Sequence, residues 1–312
     1  MASSPTAEKT LSSPTAELTR PKRQIFILDC PEIPCVLVLK YVFRELCQAF
    51  ADNGHVVSEV SSIQDLHNNS IVFMGMSLHH KNLAELLNEV APEAIYIGWY
   101  WYAQETSALK NFIYTYENIL SPPVWRQPYF DIMQRGLNNC PLLLRASDHP
   151  SKISTYQRQV SRDYCYMGWV YRPDWVPSAP FTGLYYGTCD HNKFLDYNSR
   201  RNIYLSSTFA LGFQSNENIS DRHVRQRIFE GLAYGCVVFS ESPEACRQTN
   251  NIVEFITSKA DLESKMKFYL AHPEKIVEKQ LQGYDFVRKF GTNHFAIGKF
   301  VRVIEDVLKL SV

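Results

Sequence analysis

The sequence has no surplus of charge and no long apolar run. Its 312 residues include 32 Lys and Arg against 32 Asp and Glu, so the formal net charge is zero. Because binding to a phosphate backbone needs a basic surplus, this balance predicts no nucleic-acid partner. The chain also lacks the roughly 18 consecutive apolar residues of a membrane-spanning helix and the apolar core of a signal peptide at its start. We therefore expect a cytoplasmic protein without a membrane span.

Motifs that hold metal ions are missing as well. The eight cysteines contain no Cys-x-x-Cys pair and no Cys/His spacing typical of zinc, and there is no Asp-x-Asp motif. Several cysteines lie inside apolar runs, as Cys236 does, which is typical of buried free thiols in a reducing compartment. We predict no metal site and no cofactor.

The first 23 residues differ in composition from the rest. The segment SSPTAE occurs at 3–8 and again at 12–17. A short Ser/Pro/Thr repeat buries too little apolar area to offset the entropy of ordering it. We predict a disordered leader over residues 1–23.

From Gln24 onward, short apolar runs alternate with amphipathic segments. This order predicts an α/β fold with helices on both faces of a parallel sheet, and such sheets bind ligands beyond the carboxyl ends of their strands. Pro173, Pro177 and Pro180 predict a linker that crosses between domains. The predicted strands are 24–30, 55–57, 70–76, 94–101, 141–147, 165–171, 183–188, 202–211 and 236–241, and the predicted helices are 36–53, 83–90, 221–234, 261–271, 273–290 and 293–310.

The predicted helix 221–234 carries a polar stripe. At about 100° per residue, His223, Arg227 and Glu230 fall on one side of the helix, next to an apolar side. Periodicity alone favours a solvated face on which Arg227 and Glu230 form an i, i+3 ion pair. Gly235 is predicted to end the helix in the C′ position.

Residues 225–239, RQRIFEGLAYGCVVF, resemble the donor-site helix of GT-B glycosyltransferases, in which Arg-x-Phe-Glu-x-Leu-Ala-x-Gly precedes an apolar strand. The pattern is similar to that of the group 1 and spore-coat enzymes, and residues 202–212 and 272–294 agree with it. The resemblance implies the GT-B fold, in which two Rossmann-like domains face each other across a cleft. The implied division is a leader 1–23, an acceptor-side domain 24–165, a nucleotide-sugar-binding domain 166–290, and a helix 291–312 that packs back on the first domain.

The resemblance implies a metal-independent glycosyltransferase that moves a hexose or pentose from a nucleotide-diphosphate sugar to a hydroxyl of a carbohydrate acceptor. The nucleotide sugar is then a co-substrate rather than a cofactor. Glu230 matches the carboxylate that accepts hydrogen bonds from the two ribose hydroxyls. Arg227 and Arg225 would neutralise the diphosphate.

Three further donor contacts are predicted at strand ends. Tyr185 would stack on the nucleotide base, while Ser206 and Ser207, which follow Tyr204 and Leu205, would contact phosphate at a strand end. Many retaining relatives have a second Glu where this chain has Arg222. The resemblance therefore leaves retention and inversion open.

Candidates for a general base follow predicted strands of the first domain. Asp148 and His149 come after the strand 141–147, and His79 comes after the strand 70–76. A carboxylate or an imidazole at such a position can accept the proton of an acceptor hydroxyl. In loops, such residues are more often only polar surface.

Two alternatives remain at this point. A nucleotide-sugar epimerase on the same fold would use the same donor site without an acceptor. A non-catalytic sugar-binding protein would bind without transfer, although the presence of Arg227 and Glu230 favours the enzyme.

Overall fold

The structure is a computed structural model. It describes residues 24–28, 47–48, 50–52, 54–68, 70–76, 83–100, 112–116, 146, 148–169, 171–187, 195–220, 222–296 and 298. The predicted leader 1–23 lies outside these residues. So do His79, nearly all of the predicted strand 141–147 and most of the predicted last helix 293–310.

Five parallel strands form the first sheet, in the order β2-β1-β3-β4-β5. Their packing is fixed in part by Tyr96, which is 1% exposed and whose hydroxyl donates to the carbonyl oxygens of Leu87 at 3.0 Å and Ala91 at 2.8 Å. These bonds tie β4 to the end of the preceding helix. The elements are β1 Gln24–Leu28, β2 Val56–Val60, β3 Ile71–Met76, α1 Leu83–Val90, β4 Ile95–Tyr100 and β5 Phe112–Tyr116.

A second parallel sheet has the order β10-β9-β8-β6-β7. If the strands of each sheet are numbered 1 to 5 along the chain, both sheets have the strand order 2-1-3-4-5. This order is typical of doubly wound nucleotide-binding folds. The strands are β6 Arg162–Gly168, β7 Gly183–Gly187, β8 Ser207–Leu211, β9 Val237–Ser240 and β10 Glu254–Phe255. The helices are α2 Tyr197–Leu205, α3 Asn216–Ser220, α4 Gln226–Ala233, α5 Pro243–Gln248, α6 Lys259–Ala271 and α7 Pro273–Phe290.

Helices cover both faces of the second sheet, as the alternating pattern predicts. On one face, Ile228 and Leu232 of α4 pack with Val287 of α7. On the other, Leu262 and Met266 of α6 pack against the aromatic side chains of β6, β8 and β9. β8 and β9 are buried on both sides, so they do not alternate apolar with polar residues. Their few polar residues, Ser207, Thr208 and Ser240, are buried at the strand ends.

The predicted strand 202–211 is wrong in its first half. Asp196 caps α2 by accepting from the backbone N–H of Ser199 at 3.1 Å, and the helix continues to Leu205. Ile203 and Leu205 pack on the core although they lie about 200° apart around the helix, and Tyr204 between them is buried as well. A short apolar run of this kind is not distinguished from a strand by its sequence.

The predicted helix 221–234 begins later than the sequence indicates. Arg222 has a left-handed φ of 54°, which interrupts helical backbone between α3 and α4. Gly235 does lie after the helix with φ 76°, as its C′ position requires.

The predicted linker at Pro173, Pro177 and Pro180 does not cross between the sheets. It belongs to the connection from β6 to β7, which pair with each other in one sheet. The expected boundary between residues 165 and 166 accordingly falls inside β6, which begins at Arg162.

No helix among the described residues is long and apolar enough to cross a membrane.

Candidate donor site at the carboxyl end of the second sheet

The strand order of the second sheet reverses at β6, which pairs with β7 on one side and β8 on the other. At such a reversal the connections leave toward opposite faces, and a crevice opens beyond the carboxyl ends of the two central strands. Here β6 ends at Gly168 and β8 ends at Leu211. The fold itself therefore predicts a ligand site at this point.

Arg227, in the first turn of α4, reaches this crevice. Its Nη1 donates to the hydroxyl of Tyr166 at 2.6 Å and to the carbonyl oxygen of Phe213 at 3.2 Å. Gly168 has a φ of 139°, and a Cβ built on it would lie 2.4 Å from the Nη2 of Arg227. Only glycine lets the guanidinium approach the end of β6 this closely. The side chain is half-buried, so its charge remains available to an anion.

Aromatic rings surround the same guanidinium. Tyr166 and Tyr185 stack with ring centroids 4.7 Å apart and an interplanar angle of 12°. The Tyr185 hydroxyl donates to the carbonyl oxygen of Tyr171 at 2.8 Å, and burial raises its pKa to about 12. The carbon Cζ of Arg227 lies 5.0 Å from the ring centre of Tyr166. Tyr185 thus uses one ring face on Tyr166, and the pair forms an apolar wall beside the cation.

Glu230 lies one turn further along α4 and is 1% exposed. Its Oε2 forms an ion pair with Nη2 of Arg200 on α2, and the hydroxyl of Tyr204 lies 3.5 Å from the same oxygen. Its Oε1 is buried and has no hydrogen-bond partner among the described residues. The solvated stripe favoured by periodicity is therefore wrong, because α2 covers this side of α4. A buried acceptor without a donor is rare in native proteins and calls for a ligand or an ordered water.

Arg225 occupies the N-cap position of α4 and forms no capping hydrogen bond with its side chain. Its Nη2 instead donates to Asn218 Oδ1 at 3.1 Å. The first backbone N–H groups of an α-helix have no intrahelical acceptor and attract anions. Arg225 and Arg227 thus flank a helix start that favours negative charge.

Ser206 and Ser207 lie at the amino end of β8 rather than beyond its carboxyl end. Both hydroxyls donate to the carbonyl oxygen of Ile203, at 3.1 and 2.7 Å. The expectation that they follow a strand is wrong because α2 occupies residues 197–205. The length of β8 separates them from Arg227.

Asp148 and His149 lie near the opposite end of α4. The hydroxyl of Tyr234, which caps the C-terminus of α4, donates to Asp148 Oδ2 at 3.1 Å. Tyr234 is about 10 Å from Arg227 along the helix axis. Asp148 and His149 both line a cavity of about 310 Å³. Its other lining residues are Gln48, Asp52, Lys152, Tyr197, Asn198, Arg201, Asn293 and His294. The structure does not bring them together with Arg227, and His79 lies outside the described residues.

Sequence reasoning missed a second polar group at the carboxyl edge. Glu241, directly after β9, accepts from the backbone N–H of Gln214 at 2.9 Å and lies 3.5 Å from Nε of Arg172. Burial raises the pKa of Glu241. Both polar atoms of the Gln214 side chain are buried without a hydrogen-bond partner among the described residues. The signal was a polar residue immediately after an apolar strand, the same signal that singled out His79.

Comparison with known proteins bears on the fold and the family. Residues 164–296, which contain all of the second sheet except the first two residues of β6, match a family model described as "Glycosyl transferase-like". An α-glucosyltransferase in complex with UDP and a 13-mer DNA containing a HMU base has a similar structure, with TM-score 0.62, 11% identity, and coverage of 91% of this chain and 99% of that one. A T4 phage BGT in complex with UDP and Mn²⁺ has TM-score 0.55 and 10% identity, with coverage of 86% and 95%.

The chain has the GT-B fold of the glycosyltransferases. The predicted resemblance and the predicted enzyme class, a glycosyltransferase, are confirmed by the family match and the fold together. At 10 to 12% identity, the solved structures establish the fold only. No curated protein sequence matches this glycosyltransferase.

The predicted exclusion of nucleic acid is wrong. Two similar structures of α-glucosyltransferase contain 13-mer DNA. One is the HMU complex described above, and the other has DNA with a central A:G mismatch, with TM-score 0.58, 12% identity, and coverage of 91% of this chain and 99% of that one. The error lies in using a sum of charges, because a neutral total does not prevent cations from gathering on one face.

Proposed function

We propose that this glycosyltransferase takes its sugar from a nucleotide-diphosphate sugar, with UDP as the nucleotide, bound beyond β6 and β8. The transfer goes to a hydroxyl acceptor. The UDP in similar structures supports this choice of nucleotide, and the geometry around α4 supports the position.

The observation that carries the proposal is the buried carboxylate of Glu230. An ion pair with Arg200 fixes Oε2, while Oε1 has no donor among the described residues. A carboxylate in this state can accept from the vicinal hydroxyls of a ribose. Such a bond to a charged group contributes about 1.5–3 kcal/mol.

Arg227 stands one helical turn from Glu230, toward the start of α4. We assign it to the diphosphate, together with Arg225 and the first N–H groups of α4. In the transfer step, negative charge grows on the leaving diphosphate, and a preorganised cation stabilises that charge more than it stabilises the ground state. With these groups in place the transfer is proposed to be metal-independent. Tyr185 and Tyr166 would place the aromatic wall beside the nucleotide.

For the general base we propose His79, which follows β3 in the sequence. The order of the first sheet reverses between β1 and β3. Asp148 and His149 rank below His79 as candidates, because the length of α4 separates them from Arg227. Ser206 and Ser207 are left out of the proposed site.

A carbohydrate hydroxyl remains the proposed acceptor, and DNA must be tested beside it because similar structures hold DNA. Transfer from radiolabelled UDP-sugars to oligosaccharides and to a 13-mer with a HMU base would separate the two. A cytoplasmic location is also proposed, supported by the buried free thiols of Cys165 and Cys236.

The decisive measurement is calorimetric binding of UDP and of uridine. We expect Glu230→Gln to weaken both ligands by about 10- to 100-fold, which corresponds to one lost charged hydrogen bond. Arg227→Gln should weaken UDP by a similar factor and leave uridine nearly unchanged. The matched controls are Glu274→Gln and Arg288→Gln on the exposed side of α7, which should bind like the wild type.

Equal UDP affinity in the wild type and both site variants, with each variant folded, would place the donor elsewhere. Formation of an isomerised nucleotide sugar without any acceptor would favour the epimerase. UDP binding without release of sugar to any acceptor or to water would favour a sugar-binding protein.

A further inference from the structure

Outside the donor site, one cluster of side chains has the composition of a metal site. Asp52, His149 and His294 each offer one ligand atom, and these three atoms lie within 4.8 Å of one another. Asp52 Oδ2 is 3.5 Å from Nε2 of His149 and 3.5 Å from Nδ1 of His294. We propose that this cluster binds one divalent transition-metal ion of the zinc type.

The distances are close to those of an occupied site. Zinc lies about 2.0–2.1 Å from imidazole nitrogen and carboxylate oxygen, so tetrahedral ligands are about 3.3 Å apart. Both measured pairs exceed this value by only a few tenths of an ångström. The two imidazoles meet edge to face, with ring centroids 5.0 Å apart at 75°. A small rotation of either ring would close the triangle.

The nitrogen of His294 is the group that most needs a partner. Its Nδ1 is buried and has no hydrogen-bond partner among the described residues. A neutral imidazole that turns an unpaired ring nitrogen toward a carboxylate oxygen satisfies neither group fully, whereas a cation between them satisfies both.

His149 has the support expected of a ligand. Its Nδ1 accepts from the backbone N–H of Ser151 at 3.3 Å and lies 2.7 Å from Ser151 Oγ. If a metal takes the lone pair of Nε2, the ring proton moves to Nδ1, which then gives up the backbone bond and donates to Ser151 Oγ. Outer hydrogen bonds of this kind fix the tautomer and orientation of metal-binding histidines.

The site is reachable from solvent. The side chains of Asp52, His149 and His294 are 25, 41 and 31% exposed, and they line one side of the 310 Å³ cavity. Three protein ligands leave a fourth position for water. Asp148 lines the same cavity, but its Oδ2 accepts from Tyr234.

The position of the cluster defines what the metal would do. Asp52 belongs to helical residues that precede β2 of the first sheet. His149 precedes the chain that enters β6, and His294 follows α7, two residues after Thr292, which forms a β-bridge with Ala146. An ion here would link the helical residues before β2 to these two bridged segments, at the end of α4 opposite Arg227. The proposed role is to fix the two halves relative to each other, not to act on the diphosphate.

The test uses the full-length chain after removal of metal with a chelator, titrated with Zn²⁺ by calorimetry and with Co²⁺ by visible absorption. We expect one equivalent to bind and to raise the melting temperature. Asp52→Asn and His294→Ala should each weaken Zn²⁺ by at least tenfold, because even the loss of an outer hydrogen bond to a ligand weakens metal sites by about 10- to 100-fold. Ser151→Ala should weaken it by a smaller factor, and the control His272→Ala, an exposed histidine after α6, should not.

Three results would overturn the proposal: no Zn²⁺ binding at about 0.1 mM, full affinity in His294→Ala, or a Co²⁺ spectrum dominated by thiolate charge transfer, which would assign the metal to cysteines. UDP affinity of His294→Ala is measured in parallel and is expected to equal that of the wild type. The metal proposal and the donor proposal can therefore fail separately.

Discussion

Gly168→Ala tests whether the position of Arg227 decides diphosphate binding. The new Cβ would lie 2.4, 2.7 and 2.9 Å from Nη2, Cζ and Nη1 of Arg227. Contacts this short force the guanidinium to move, and the movement breaks its hydrogen bonds to Tyr166 at 2.6 Å and to the carbonyl of Phe213 at 3.2 Å. The substitution removes no functional group, so it tests geometry alone.

The magnitude follows from three contributions. Alanine at a φ of 139° is strained by about 1–3 kcal/mol. Two hydrogen bonds from a charged donor are worth about 1.5–3 kcal/mol each, but the half-buried guanidinium recovers part of this from water. We therefore expect a loss of about 2–4 kcal/mol in the free energy of unfolding. We also expect UDP affinity to fall by tenfold or more.

Urea denaturation measures the first quantity, and calorimetry with UDP and uridine measures the second. The ratio of UDP to uridine affinity should collapse, because only the diphosphate contact depends on Arg227. Gly283→Ala is the control, since its Cβ would meet Leu232 at an ordinary 3.4 Å and alanine favours a helix interior. An unchanged ratio in folded Gly168→Ala would refute the assignment of Arg227 to the diphosphate.

Two further predictions concern buried polar groups. Burial raises the pKa of Glu241 above its unfolded value. Between the two pKa values the folded state binds more protons than the unfolded state, so the stability of the wild type falls as the pH rises. Glu241→Gln should therefore gain thermal stability relative to the wild type as pH increases from 4.5 to 8. Tyr234→Phe removes the donor to Asp148 Oδ2, a carboxylate only 6% exposed, and should lower the free energy of unfolding in urea by about 1–3 kcal/mol.

Each of these has an internal control. The hydrogen bond from Arg247 lowers the pKa of Glu244. The ionised Glu244 therefore stabilises the folded state above its unfolded pKa, and this stabilisation is lost as pH falls. Glu244→Gln should show the opposite pH trend from Glu241→Gln. Parallel trends in the two variants would contradict the role of burial. For Tyr234→Phe, a loss below about 0.5 kcal/mol would show that the hydrogen bond to Asp148 contributes nothing measurable.

The sequence predicted the elements that rest on local signals. Short apolar runs predicted β9 and the second half of 202–211, which is β8, because strands buried on both faces have few polar residues. Gly235 predicted the end of α4 because few other residues adopt its φ of 76° without strain. The strand order, by contrast, needed pairings between distant segments that periodicity does not report.

The errors came where neighbours in space override local pattern. The apolar residues Ile203 and Leu205 indicated a strand but belong to α2, since Asp196 starts a helix before them. Glu230 lay on a stripe that periodicity assigns to solvent, and only the packing of α2 on α4 shows that it is buried. Net charge, a sum over the chain, excluded nucleic acid without knowing where any cation lies.

From sequence alone, the resemblance of the motif around Arg227 and Glu230 to the donor-site helix of GT-B enzymes predicted the enzyme class, because a carboxylate one turn from a guanidinium at the start of a helix is a local arrangement. The tertiary structure decided what that pair faces. It brought Arg200 to Glu230 and Gly168 to Arg227, and it gathered Asp52, His149 and His294 from distant segments into one cavity. Local backbone preference fixes what lies within a helical turn, whereas contacts between distant segments depend on how whole layers pack, and that information is spread over the entire chain.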